Sequence, residues 1–168
     1  ILAADYNWNQ NDISKYTRKF FNWDIRTESK HIHNIDKVVH IAAKTKVPES
    51  VKNPYDYYLT NVIGTANVAK SLIDPIDHFI YCSTGSAFEP ESNPYAGSKY
   101  AGELVAKQYY DRTSVVRFYN VSGNDGMNKF DNDYSHLIRK AAAVVNGKFE
   151  KLYIHGTDYD TRDGTCIR

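Results

Sequence analysis

Three nearly continuous apolar runs constrain the fold of this chain more than any other feature. They cover residues 38–43, 79–83 and 115–119. Runs of this kind are typical of strands that are buried on both faces of a parallel sheet. Helical stretches over 56–72 and 96–110 separate the three runs. The alternation therefore predicts βαβ units and a doubly wound parallel α/β sheet.

Weaker signals extend this pattern toward both ends of the sequence. Further strands are predicted over residues 1–4, 19–23 and 151–154, and a third helix is predicted over 134–146. Gly147 follows that helix at the position where glycine commonly ends one.

Charge and composition exclude several classes of protein. Lys and Arg together number 21 against 20 Asp and Glu, so the net charge of +1 provides no basic excess for nucleic acid or an anionic membrane. No apolar run approaches the roughly 20 residues of a membrane span, and no signal-peptide pattern opens the sequence. Cys82 and Cys166 lack metal-ligand spacing and are predicted to be reduced thiols of a cytoplasmic protein.

Candidate binding residues lie where the predicted strands end, because ligands of a doubly wound sheet bind beyond the carboxyl ends of its strands. Asp5 and Asp24 follow the first two strands, where a carboxylate can accept hydrogen bonds from an adenosine ribose. The alternative for both is a helix cap or a turn aspartate. Small residues within 40–43 let either a flat ligand or the next helix approach closely. His40 itself is predicted to be a hydrogen-bonded core histidine.

Tyr95 and Lys99 give the strongest local signal. Four residues apart on a helix, they share one face with about 5–6 Å between their Cβ atoms. A free tyrosine has a pKa of about 10, and a nearby ammonium lowers it. Thr84, at the end of the preceding strand, can share the proton of a substrate alcohol. Together the three residues predict proton transfer during oxidation of an alcohol beside a nicotinamide.

With these residues in place, the sequence resembles the extended short-chain dehydrogenase/reductase superfamily, and within its NAD-dependent epimerase/dehydratase branch the UDP-glucose 4-epimerases. The resemblance covers residues 24–168. The stretch 156–168, Gly-Thr-Asp-Tyr-Asp-Thr-Arg-Asp-Gly-Thr-Cys-Ile-Arg, is similar to a phrase specific to the 4-epimerases. The matching superfamily pieces are Asp24-Ile-Arg26, His40-Ile-Ala-Ala43, Glu49-Ser-Val51, Tyr57-Tyr58, Asn61, Gly64-Thr65, residues 79–84, Tyr95-Ala-Gly-Ser-Lys99 and Arg117-Phe-Tyr-Asn120.

The resemblance implies a Rossmann-type dinucleotide-binding domain over 1–121 and the beginning of a smaller α/β substrate-binding domain over 122–168. It also implies that Tyr95 is the base, that Lys99 tunes its pKa and binds a ribose, and that Thr84 assists proton transfer. The implied NAD-binding residues are Asp5, Asp24, Ile25, Ile41, Ala42, Ala43, Lys44, Asn61, Ser83, Tyr95, Lys99 and Tyr119. The implied contacts to the sugar nucleotide are Thr84, Asn120 and Arg168, of which Arg168 clamps the diphosphate.

The implied activity is epimerisation of a nucleotide-diphosphate sugar, UDP-glucose or UDP-galactose, at C4. Tyr95 takes the C4 hydroxyl proton while hydride passes to NAD, and hydride then returns to the opposite face of the 4-keto sugar. The resemblance is compatible with a homodimer. A dehydratase or reductase acting on a sugar nucleotide is the nearest alternative, although a dehydratase needs a carboxylate pair where Gly85-Ser86 stands. A catalytically silent binding protein of the same fold is the other alternative.

The sequence departs from the family pattern at several places. Thr45 stands where a lysine is common, Ala87-Phe-Glu89 stands where Val-Tyr-Gly is usual, and no Gly-x-x-Gly-x-x-Gly loop is present to bind a pyrophosphate. We therefore expect the first strand seen here to be the second strand of the family sheet, preceded in the gene by a strand, loop and helix of roughly 25–30 residues. The strand at 38–43 should then lack a partner on one side. Arg168 is expected to lead into the rest of the sugar-binding domain.

Overall fold

The structure, a computed structural model, divides the chain into two compact units, Ile1–Tyr119 and Asn120–Arg168. The division falls close to the boundary expected at residue 121, and what each unit binds stays a prediction. The structure describes residues 2–5, 19–27, 29–123, 134, 136–153 and 156–165. No helix within these ranges is both long enough and apolar enough to cross a membrane.

Parallel strands form the frame of the first unit, and they fall into two sheets. β1 pairs with β2 in one sheet, and the other has the order β3-β4-β5 with β4 in the middle. Among the described strands no ladder joins β1 to β3, so β3 has a partner on one side only, as expected. The strands are β1 (Leu2–Asp5), β2 (Lys19–Asn22), β3 (Lys37–His40), β4 (His78–Thr84) and β5 (Thr113–Phe118).

Helices connect and cover these strands. Proline occupies the first turn of α1, α2 and α4, where its missing N–H breaks no helical hydrogen bond. A π-helix, Leu59–Ile63, joins α2 to α3, and a 3₁₀ helix, Gly85–Phe88, follows β4 directly. The α-helices are α1 (Val47–Lys52), α2 (Pro54–Tyr58), α3 (Gly64–Ser71), α4 (Pro94–Tyr109) and α5 (Leu137–Val145).

The core of the first unit lies on one face of β4. Phe79 and Tyr81 are fully buried there, whereas Ile80 and Cys82 on the opposite face are half-buried. The buried cluster comprises Trp23, Ile25, Val68, Phe79, Tyr81 and Ala106. The apolar run therefore predicted the strand correctly, but only one of its faces is fully covered in the described residues.

Two sequence-based expectations about elements are corrected, and one helix was missed. The strand predicted over 151–154 is wrong for residues 151–153, which are exposed and form no strand; Ile154 lies outside the described residues. A strand needs a neighbour to satisfy its backbone groups, and the described part of the second unit contains no strand. The helix predicted over 56–72 is instead α2, the π-helix and α3, and α1 was not predicted because its six residues are too few for a periodic signal.

The second unit contains α5, which buries Ala143. Gly147 follows the helix with a φ of 69°, the left-handed conformation that glycine adopts without strain, and thus ends the helix as expected. A cavity of about 350 Å³ lies beside the end of the helix, lined by Lys140, Phe149 and Tyr153 among others.

Candidate active site

Three parallel strands of the first unit end at one edge of a sheet. The register places Thr84, the last residue of β4, beside Phe118 at the end of β5, and β3 ends on the other side of β4. The residues that follow emerge into solvent: Ile41 and Tyr119 are each 69% exposed, and Ala42 is exposed as well. This edge is where a parallel sheet binds its ligands.

Helix α4 carries Tyr95 in a first turn that its own sequence fixes. The side chain of Asn93 accepts a hydrogen bond from the N–H of Ala96 at 3.0 Å, and Pro94 begins the helix. Both features favour a helix start at this point. The ring of Tyr95 is half-buried and packs edge-on against Tyr57, with 6.4 Å between ring centroids.

Lys99 lies one turn further along α4, with its ammonium against the end of β4. Its Nζ donates a hydrogen bond to the carbonyl oxygen of Cys82 at 2.6 Å and lies 4.4 Å from the centroid of the Tyr81 ring. Burial lowers the pKa of Lys99 to about 8, although Cys82 and Glu103 act in the opposite direction. The site therefore contains a desolvated cation, and strongly shifted groups of this kind are common at catalytic centres.

The two hydroxyls at the end of β4 are directed to different partners. Thr84 accepts a hydrogen bond from the N–H of Ser86 at 3.3 Å, which caps the 3₁₀ helix. Ser83 donates to the carboxylate of Glu103 at 2.5 Å and is buried. A contact of Ser83 with a cofactor would therefore be made through its backbone, whereas Thr84 lies at the edge itself.

Asn61 binds the loop after β3 to helix α4. Its Oδ1 accepts the N–H of Lys44 at 2.8 Å, and its Nδ2 donates to the carbonyl of Lys44 at 3.1 Å and to Oγ of Ser98 at 2.9 Å. Asn61 is fully buried within the π-helix, an irregularity that is frequent at functional sites. In this arrangement the amide of Asn61 positions the loop that carries Lys44.

A chain of alternating charges connects the ends of β2 and β3. Arg26 binds the carboxylate of Asp24, with 2.7 Å between Nη2 and Oδ2. Its Nη1 lies 3.4 Å from Oδ1 of Asp56. Lys44 pairs with Asp56 and, at 2.7 Å, with Glu49. Hydrogen bonding to Arg26 lowers the pKa of Asp24, and hydrogen bonding to Asp56 raises the pKa of Lys44. Asp24 is thus an ionised group with a fixed orientation.

Ile25 and Asp5 are two further residues for which the resemblance implies an adenosine contact. The side chain of Ile25 belongs to the core, and a Cβ on Gly64 would lie 2.7 Å from its Cδ1. An adenine contact of Ile25 would therefore come from its backbone. Asp5 ends β1 opposite Asn22, and its side chain lies outside the described part of the structure.

Tyr119 lies across the end of β4. A Cβ on Gly85 would stand 2.6 Å from the Tyr119 ring, so the absence of a side chain at residue 85 is what lets the ring occupy this position. The ring is largely exposed at the edge where the ligand is expected.

Two site residues were not predicted as functional from sequence. Glu103 is buried in α4 and binds Arg117 of β5 through two hydrogen bonds, of 2.8 and 2.7 Å. The sequence did offer a signal: Arg117 is a cation inside an apolar strand run, and Glu103 is a carboxylate four residues after Lys99. Buried charges are rarely left without a partner, so each of the two predicts an oppositely charged neighbour.

The predicted residues are thus only partly brought together. Ala42, Ala43, Lys44, Asn61, Thr84, Tyr95, Lys99 and Tyr119 belong to the ends of β3, β4 and β5 and to the helices packed on them. Asn120 is the exposed first residue of the second unit, and Arg168 lies outside the described residues.

Comparison with known proteins identifies the family. The family model described as "NAD dependent epimerase/dehydratase family" matches residues 3–168. The chain belongs to this family. Its parallel strands are accordingly part of a Rossmann-type doubly wound sheet.

Several relatives of this epimerase/dehydratase chain carry one name. A UDP-glucose 4-epimerase of Halalkalibacterium halodurans is 34% identical over 175 aligned residues, which cover 89% of this chain and 52% of the relative. The chain thus spans about half the length of the curated relatives that it matches.

Solved structures agree with the fold. The crystal structure of a UDP-glucose 4-epimerase superimposes with a TM-score of 0.78 at 29% identity, covering 99% of this chain and 59% of that one. A UDP-glucose 4-epimerase from Brucella ovis in complex with NAD superimposes with a TM-score of 0.63 at 26% identity, covering 88% of this chain and 54% of that one.

Proposed function

We propose that the protein to which this chain belongs catalyses NAD-dependent epimerisation of a nucleotide-diphosphate sugar at C4, with UDP-glucose and UDP-galactose as its substrates. The observation that carries the proposal is the position of Lys99, buried against the end of β4 one turn after Tyr95. The names of the relatives support the choice of substrate.

The residues around this edge fit the two ends of NAD. Asp24, held ionised by Arg26, can accept hydrogen bonds at the adenosine end, and the small residues Ala42 and Ala43 leave room beside the backbone. Lys99 and Tyr119 lie on the nicotinamide side. The sequence has no glycine-rich loop, so we assign no residue to the pyrophosphate. When bound, NAD supplies the acceptor and donor of hydride.

This chain's own residues move the proton. Tyr95 takes the proton of the sugar C4 hydroxyl, Thr84 shares it through its Oγ1, and the positive charge of Lys99 favours the ionised phenol. With a pKa of about 8, Lys99 stays mostly protonated at neutral pH and keeps that charge.

The geometry at Gly85 favours an epimerase over a dehydratase. A dehydratase requires acid and base carboxylates directly after Thr84, but the Tyr119 ring fills the space that a side chain at residue 85 would need. A carboxylate at this position would displace the ring.

A homodimer and a cytoplasmic location complete the proposal. Leu104 of helix α4 is about half exposed, and a second copy packed on that face of the helix would cover it. Cys82 is a free thiol, which fits a reducing compartment. Sedimentation velocity tests directly whether the protein is a homodimer.

Thermal unfolding with added ligands tests the function. We expect NAD and UDP-glucose each to raise the Tm, because a ligand that binds only the native state stabilises it, by about 2.7 kcal/mol at a hundredfold excess over Kd. Duplex DNA serves as the control and should cause no shift. Conversion of UDP-glucose to UDP-galactose then separates an epimerase from a silent binding protein. Absence of a shift with both NAD and UDP-glucose contradicts the proposal.

A further inference from the structure

Glu103 is a buried carboxylate that lies one helical turn beyond Lys99. It is 1% exposed and accepts hydrogen bonds from Oγ of Ser83 at 2.5 Å and from Nε and Nη2 of Arg117 at 2.8 and 2.7 Å. Three elements thus meet at this carboxylate: α4, β4 and β5. A fully buried carboxylate within the site is costly unless it is paired, and its charge acts on the groups around it.

Lys99 has no carboxylate in direct contact among the described residues. Its ammonium donates a hydrogen bond to the uncharged carbonyl of Cys82 and lies over the Tyr81 ring. Because the site is desolvated, charges that do not touch Lys99 still act on it strongly. The titratable groups on the elements around it are Cys82 and Tyr81 on β4, His40 on β3, and Tyr95 and Glu103 on α4.

Arg117 opposes the effect of Glu103. Its guanidinium grips both carboxylate oxygens in a fork and lies 4.3 Å from the centroid of the Phe88 ring, so its position is fixed from two sides. The negative charge of Glu103 favours the ammonium form of Lys99, whereas the positive charge of Arg117 disfavours it. Removal of either charge should therefore change the field at Lys99, and the two changes should have opposite signs.

We propose that Glu103 and Arg117 act as a pair of positioning residues that sets the charge state of Lys99, through the balance of their charges and not only through the tie between α4 and β5. Any consequence for catalysis rests on the proposed function, whereas the effect of the two charges on Lys99 does not depend on it. Neither residue touches the substrate in this account; both act through Lys99.

Breaking the pair from its two sides distinguishes a charge effect from a structural tie. Glu103→Gln keeps the size of the side chain but removes the negative charge, so the pKa of Lys99 should fall by about one unit. Arg117→Gln removes the positive charge and leaves Glu103 unopposed, so the pKa of Lys99 should rise. A purely structural tie is lost equally in both variants and predicts no opposite shifts.

The pKa of Lys99 can be measured without cofactor or substrate, by NMR titration of protein labelled with ¹³C at lysine Cε. Lys99→Met identifies the resonance. Ser83→Ala is the matched control, since it removes a hydrogen bond to Glu103 without changing a charge and should leave the Lys99 pKa in place. Arg117→Lys keeps the charge but loses the fork, and it should also leave the pKa in place.

The pKa of Lys99 in these variants distinguishes a charge effect from a structural tie. Shifts of opposite sign in Glu103→Gln and Arg117→Gln, with none in Arg117→Lys, support the proposal. If Glu103→Gln fails to fold, the comparison of Arg117→Gln with Arg117→Lys decides alone, and equal Lys99 pKa values in those two variants overturn the proposal. Because no ligand is added, a failure here leaves the assignment of NAD and UDP-sugar to be judged by its own experiment.

Discussion

Burial shifts two basic residues near the strand ends toward their neutral forms. The pKa of Lys99 falls to about 8 and that of His40 to about 3, in both cases chiefly because of desolvation. His40 hydrogen-bonds Oγ1 of Thr65 through Nε2 at 3.0 Å and lies against the rings of Phe79 and Tyr81. The expectation of a hydrogen-bonded core histidine is confirmed. At neutral pH the site thus holds a cation at Lys99 beside an uncharged imidazole.

The role of Tyr95 is tested by removal of its hydroxyl. Tyr95→Phe keeps the ring that packs against Tyr57 but removes the proton acceptor, so we expect epimerase turnover to fall at least about 100-fold, the usual contribution of a general base. Tyr109→Phe, at a half-exposed position of the same helix, is the control and should retain turnover. Turnover of Tyr95→Phe close to that of the wild type would show that another group takes the proton.

The buried imidazole makes stability depend on pH. Folded His40 has a pKa of about 3 against an ordinary value of 6.5, so the unfolded chain binds the proton first. Its contribution to stability is complete above about pH 6.5 and is lost as the pH falls toward 3, by up to about 1.4 kcal/mol per pH unit. We expect the difference in unfolding free energy between wild type and His40→Gln to shrink over this range in urea titrations. Carboxylates titrate in both proteins and cancel; a difference independent of pH would contradict the burial of a neutral His40.

At the scale of elements, Gly102 sets how closely α4 approaches the π-helix. A Cβ on Gly102 would lie 2.7 Å from the backbone oxygen of Asn61 and would also meet the hydroxyl of Tyr81. Tyr81 is fully buried, and in the part of the chain that the structure describes its hydroxyl has no hydrogen-bond partner. The contact between the two helices therefore has no room for a methyl group.

Substitutions at this contact should separate crowding from hydrogen bonding. We expect Gly102→Ala to destabilise the protein by about 1–3 kcal/mol, the usual cost of overpacking, although alanine is the better helix former. Tyr81→Phe breaks no hydrogen bond between described residues and should change stability by less than about 1 kcal/mol. Gly102→Ala combined with Tyr81→Phe should recover part of the loss, since the contact with the hydroxyl is removed while those with the Asn61 oxygen and with Cζ of the ring at residue 81 remain. Chemical denaturation measures all three, and a stabilising Gly102→Ala would show that the approach is not tight.

Sequence reasoning found the elements whose signal is local and missed the contacts between distant residues. The runs that became β4 and β5, and the Tyr95–Lys99 spacing on α4, depend on neighbours in the chain. Asn61 instead joins Lys44 and Ser98, which are 17 and 37 residues away. No local pattern distinguishes such a bridging amide from an ordinary helical asparagine. Glu103 and Arg117 each stand out locally as a charge near apolar residues, but nothing local shows that the two pair with each other.

For the whole first unit, the separation of the strands into two sheets leaves one edge of β3 without a partner among the described strands. β4 pairs on both sides, whereas β3 pairs only with β4. Val39 in β3 is 57% exposed. An unpaired edge of this kind readily accepts a further strand.

Hydrogen exchange tests this edge residue by residue. Successive residues of a strand direct their N–H groups to opposite sides. The carbonyl of Asp36, just before β3, accepts from the N–H of Asp77, just before β4, so Val38 and His40 face β4 while Val39 faces away. We expect the amides of Val38 and His40 to exchange at least about 100-fold more slowly than that of Val39, because only hydrogen-bonded amides need an opening step. Throughout β4, by contrast, neighbouring amides should be protected alike. Equal protection of Val38 and Val39 would mean that another strand pairs with the outer edge of β3. If that strand belongs to this chain, the division into two sheets is wrong.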